Sequence, residues 1–196
     1  MSIDSIVALS LWMILPLGIG GSLLHFLFDW TRHTRVAAVF SAVNESYWEH
    51  IKIAIWPVAL LQVVLFAAGG HQYPSFVPAA TIALYSLPIS MIGLVFVYKS
   101  VTRRNVLWLD IASFFVTIAV AQTLFVSVLE QFTPSWATIV LSCLFLGGLL
   151  VAFLRFTLRP PKEPDVFIDP LTQKYGLHAH PDYGIAEETD EESRSR

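Results

Sequence analysis

The sequence predicts an all-α membrane protein with five transmembrane helices, its N-terminus outside, its C-terminus cytoplasmic and a short docked tail. Three observations carry that prediction. Charged residues make up only 14% of the chain against 55% hydrophobic, and mean hydropathy is +0.63, where soluble domains average about 25% charged. The charges leave long gaps: residues 5–28, 53–98, 111–129 and 131–154 hold no Asp, Glu, Lys or Arg. Every Lys and Arg falls on one side of a five-span arrangement.

A helix rises about 1.5 Å per residue, so about 20 apolar residues cross a hydrocarbon core about 30 Å thick. The gaps therefore predict spans at roughly 5–28, 48–68, 76–98, 106–128 and 134–156. Gly69-Gly70-His71-Gln72-Tyr73-Pro74 is the turn that divides the longest gap. The first span reads as a true span, because no Lys or Arg precedes it and no small-residue cleavage site follows it. Residues 36–43 are apolar but too few to cross, and read as a re-entrant or interfacial piece. Pro16, Pro57 and Pro88 each free a backbone carbonyl inside a span. Gly18, Gly20 and Gly21, like Gly147 and Gly148, offer small faces for close helix contact.

Orientation follows from the basic residues. Arg32, Arg35 and Lys52 flank the first loop, and Lys99, Arg103 and Arg104 flank the third. Arg155, Arg159, Lys162, Lys174, Arg194 and Arg196 follow the fifth span. That side is expected to be cytoplasmic, in a multi-pass protein of the cell membrane. Three regions are expected: a five-helix transmembrane domain at 1–158, a partly ordered cytoplasmic tail at 159–186 and a disordered acidic end at 187–196. Pro160, Pro161 and Pro164 end the last helix. Asp169-Pro170 and Tyr175-Gly176 suggest defined turns, and Phe167, Ile168, Leu171, Tyr175 and Leu177 are too apolar for a linker. His178 and His180 could bind metal, but paired tail histidines are more often solvated, and they read as such.

The composition speaks against a soluble enzyme and against disorder of the whole chain. A net charge of −3 gives no footprint for nucleic acid. Cys143 alone allows neither an internal disulfide nor a Cys-rich metal site. The expected partner is the lipid bilayer, with a homo-oligomer left open and no nucleic acid.

Polar residues gather at the cytoplasmic boundary. His25, Asp29, Arg32 and His33 stand at i, i+4, i+7 and i+8 and share a face if the helix continues. His25 then donates to Asp29, which leaves its other nitrogen for a metal or a proton. Asn44, Glu45, Glu49, His50 and Lys52 follow within one short stretch. Asp110 lies at a similar depth, with His25, Lys52 or Arg104 as expected partner. His25, Asp29, Glu45, Glu49, His50 and Asp110 form the candidate metal or polar cluster, supported by Asn44, Trp48 and Lys52. A mixed His/carboxylate set suits a divalent metal such as Zn, Mn or Fe. Glu45 and Glu49 are the candidate general bases. A structural role competes for Glu49, because Ser46-x-x-Glu49 fits a capping box. Trp30, Tyr47, Trp48 and Trp56 suit an interfacial aromatic belt.

The run Asn44-Glu45-Ser46-Tyr47-Trp48-Glu49-His50-Ile51-Lys52, with His25-Phe26 upstream, resembles a family of small polytopic membrane proteins of unknown function. Its signature is N-E-S-x-W-E-H-x-K. The family form has Pro-Val before the Asn, and this chain has Ala42-Val43. The resemblance implies a shared membrane fold and no particular activity. The expectation is thus an integral membrane protein whose polar cluster is structural or ligand-binding. The alternatives are a membrane-embedded metal-dependent hydrolase and a cation or proton-coupled transporter.

Overall fold

A computed structural model describes residues 1–163 and 165–180. The described residues form eight α-helices: α1 (Ile3–Trp12), α2 (Ile14–Leu24), α3 (Leu27–Trp30), α4 (Arg35–Phe40), α5 (Tyr47–Ala67), α6 (Phe76–Thr102), α7 (Leu107–Gln131) and α8 (Trp136–Leu158). Short 3-10 turns cover Gly70–Gln72, Asp165–Phe167 and Gly176–Ala179. The acidic end expected to be disordered, 187–196, lies outside the described residues.

Four helices are long and apolar enough to cross a membrane: α5, α6, α7 and α8. The bent pair α1 and α2 makes a fifth if it counts as one span. The all-helical membrane architecture expected from the charge gaps is therefore present. The 50° bend between α1 and α2 falls at Met13, and Pro16 explains it. A proline has no N–H to donate, and its ring clashes with the carbonyl four residues back, here Trp12. Pro57 and Pro88 are carried inside α5 and α6 without ending them. Residues 36–43 do not cross; Arg35–Phe40 form the six-residue α4, capped by the Thr34 hydroxyl, which accepts from the Ala37 N–H.

The chain divides into two compact units. The first comprises Met1–Ser22 and Ala54–Leu150, the second Leu23–Ile53 and the residues from Val151 onward. In the first unit, α7 packs along α6 and against α1. Its core holds Leu65, Phe76, Ala83, Leu87, Ile118, Ala121 and Phe125, and the Phe76 ring meets Phe125 edge-on at 5.2 Å. Gly18 sits so close to α7 that a Cβ there would lie 2.2 Å from the Phe115 ring. Buried polar groups bridge helices. Ser75 donates to the Leu129 carbonyl at 2.8 Å, and Gln62 Nε2 reaches Gln122 Oε1 at 3.5 Å. Thr81 and Tyr85 of α6 donate to the Ser142 and Phe145 carbonyls of α8. Large apolar side chains such as Ile89, Phe96 and Leu144 stay exposed, as lipid-facing surface requires and water-facing surface does not.

The second unit is built on Phe28, Ala37, Ala38 and Val43, with Leu27 and Leu177 packed against them. Trp48 stacks on Phe153 at 4.5 Å and tilts onto Phe167. Tail residues Phe167 and Leu177 are therefore part of this core. Gly176 adopts φ +56°, where an added Cβ would also stand 3.0 Å from the Pro160 ring, so both conformation and space call for glycine. The Asp169 carboxylate folds its own loop by accepting from the Leu171 N–H and the Thr172 hydroxyl.

Candidate metal centre

The backbone breaks at His25–Phe26, between α2 and α3. The continuous face expected for His25, Asp29, Arg32 and His33 therefore does not form. α3 ends in a Schellman arrangement: His33 N–H bonds the Phe28 carbonyl, Arg32 N–H bonds the Asp29 carbonyl, and both residues have positive φ. These breaks send His25 and Asp29 to different partners.

The loop before α5 is held from beneath. Asn44 Oδ1 accepts from the Ser46 N–H at 2.9 Å, and Asn44 Nδ2 donates to the Gly176 carbonyl at 3.0 Å. Ser46 Oγ accepts from the Glu49 N–H at 3.4 Å, one half of a capping box. The other half is absent, because the Glu49 side chain turns to the Val43 N–H at 3.0 Å and to Lys52 Nζ at 2.5 Å. Lys52 is fully buried and also donates to the Ala38 carbonyl at 2.7 Å. Glu49 and Lys52 thus form a buried ion pair that fixes the loop, and Glu49 belongs to neither His/carboxylate group described below.

Glu45 is left on the outer side of this loop. Its Oε1 lies 3.4 Å from His25 Nε2, and its Oε2 lies 3.6 Å from His50 Nε2. One carboxylate therefore joins two imidazoles. His50 Nδ1 stands 2.9 Å from the Ser46 carbonyl. A carbonyl only accepts, so Nδ1 carries the hydrogen, and in the neutral ring Nε2 presents its lone pair to Glu45. The hydrogen bond with His25, helped by the charges of His25 and His50, holds the Glu45 carboxyl below its ordinary range against the opposing effect of burial. The same bond raises His25, again against burial.

A second group forms around Asp29. Its Oδ1 lies 3.2 Å from His33 Nε2 and 3.0 Å from His180 Nε2. The His180 side chain is only 13% exposed, which corrects the expectation of a solvated tail residue. Both groups offer three ligand atoms within 4.8 Å of one another. Ligands about 2.0–2.1 Å from a tetrahedral zinc lie about 3.3–3.4 Å apart, close to the His–carboxylate distances in both trios. A cleft of about 360 Å³ runs beside them. His25, Asp29, Asn44 and Glu45 line one wall, and the tail contributes Thr172 and His180.

Asp110 belongs to the first unit and accepts a hydrogen bond from the Tyr98 hydroxyl, a partner outside the three expected for it. Sequence reasoning weighed His180 as a metal ligand but left it out of the candidate cluster. Its position, far along the chain from Asp29, carries no periodic signal. His33 was visible as the i+4 neighbour of Asp29.

These features define a polytopic, all-helical protein with membrane-spanning helices and a cleft lined by His and carboxylate groups. The chain belongs to the family of unknown function DUF6512, whose model matches residues 1–177. No curated protein and no solved structure matches it.

Proposed function

We propose that the protein binds a divalent transition metal through His25, Glu45 and His50, at the cytoplasmic boundary of a cell membrane. The observation that carries this reading is the His50 tautomer. With Nδ1–H given to the Ser46 carbonyl, the neutral ring aims a lone pair at a carboxylate oxygen 3.6 Å away. Either a proton on Nε2 or a metal ion can join these two groups, and a backbone carbonyl orienting the far nitrogen is the usual support of a metal-bound histidine. Two histidines and a carboxylate suit Zn or Fe and leave a coordination position for water or substrate.

The cleft favours a second reading, a hydrolase working at the membrane boundary. His25 and Glu45 line it beside the polar Asn44 and Thr172, so a metal-bound water would open onto space large enough for a small substrate. Glu45 then serves as ligand. Glu49, paired with Lys52, is poorly placed to be the base.

Metal analysis of the purified protein tests the proposal. Wild type should carry metal, and His25→Ala and His50→Ala should each lose one bound ion while staying folded. A wild type without affinity for Zn²⁺, Mn²⁺ or Fe²⁺ would refute it.

A further inference from the structure

The trio of Asp29, His33 and His180 shares no residue with the group that carries the proposed function. Its three side chains converge on one point. Two imidazoles, their centroids 4.6 Å apart, bring their Nε2 atoms to the same carboxylate oxygen, at 3.2 and 3.0 Å. Each ring either donates an N–H to that oxygen or, with Nε2 deprotonated, presents a lone pair beside it, and in the second state the three groups offer their ligand atoms to one shared cation. A single divalent ion satisfies all three groups at once. The rings are also pre-set. The buried Phe28 ring stands 5.1 Å from each, and the Schellman turn after α3 holds His33 over Asp29.

The ligands come from distant parts of the chain. Asp29 and His33 belong to the segment around α3, and His180 closes the tail. Asn44 already ties that tail down at Gly176, and Leu177 is packed into the core of the unit. Because Thr172 and His180 also wall the cleft, an ion here would fasten the wall as well.

We infer that Asp29, His33 and His180 form a second divalent-metal site, of the zinc type, that clasps the tail over the cleft. It offers two imidazoles and one carboxylate, N/O ligands that zinc accepts, and leaves a fourth position for water.

The full chain, purified in detergent and titrated with Zn²⁺ alone, tests the inference. Wild type should bind two ions, while His180→Ala and His33→Ala should each bind one. A His25→Ala/His50→Ala variant should keep one ion and lose it when His180→Ala is added, which separates this site from the first trio. Trypsin cleavage after Lys174 supplies a second readout. With Zn²⁺ at ten times the dissociation constant, cleavage through tail opening should slow about tenfold in wild type and in the His25→Ala/His50→Ala variant, but not in His180→Ala. If His180→Ala and His33→Ala bind as much zinc as wild type, or if zinc leaves cleavage after Lys174 unchanged in wild type, the inference is overturned.

Discussion

Two glutamates one helical turn apart have opposite surroundings. Glu45 is exposed on 42% of its side chain and faces two histidines, whereas Glu49 is 3% exposed and holds a buried lysine. Their substitutions should therefore separate. Glu45→Gln should weaken metal binding with little change in melting temperature. Glu49→Gln should leave metal binding intact and cost about 3–5 kcal/mol, because it strands the Lys52 ammonium without its counter-charge. Parallel thermal melts and metal titrations check this, and equal loss of metal in both variants would contradict it. The His25–Glu45 pair also gives the metal-free protein a pH profile. His25 is raised above 6.5, so its contribution is complete below 6.5 and is lost as pH rises through the raised value. Glu45 is lowered below 4.5, so its contribution is complete above 4.5 and is lost as pH falls through the lowered value. His50 and Asp29, the neighbouring titratable groups, act in the same field. The pair's contribution should peak between about pH 4.5 and 6.5 and vanish in Glu45→Gln, as chelator-treated samples melted across pH will show. Density of polar residues marked His25, Glu45 and His50 in the sequence. The division of labour between Glu45 and Glu49 was hidden, because it depends on which way each side chain turns around one loop.

At the scale of elements, the spans were legible because hydrocarbon thickness imposes a length that charge gaps reveal directly. The break at His25–Phe26 was not, since neither residue is a glycine or a proline and no local rule stops a helix there. The Met13 bend, by contrast, follows from Pro16. Among the connections, the tail loop depends on Gly176. Gly176→Val forces a branched side chain into φ +56° against Pro160, a strain of about 1–3 kcal/mol. The resulting loss of the Asn44–Gly176 bond should loosen the tail. Faster trypsin cleavage after Lys174, with α5–α8 still helical by circular dichroism, is the expected result.

For the whole molecule, sidedness is the property to measure. The positive-inside rule predicts that the α5–α6 loop lies outside and the α6–α7 loop in the cytoplasm. In a Cys143→Ser background, His71→Cys should react with an impermeant thiol reagent in intact cells, and Val101→Cys should react only after lysis. Labelling of both in intact cells would break the arrangement. The result also assigns a compartment to the cleft, and hence the metal pool from which the protein draws.

The hydroxyls of Thr81 and Tyr85 grip α8 by its backbone carbonyls, the Tyr85 ring meets Phe145 edge-on, and only 11% of the α8 apolar stretch is buried. The register of α8 is thus written in α6. Saturation mutagenesis of 137–150 should find Leu, Ile, Val and Phe freely interchangeable, while Thr81→Val with Tyr85→Phe should lower expression. The exposed face of α8 should therefore tolerate change in sequence without a change in position.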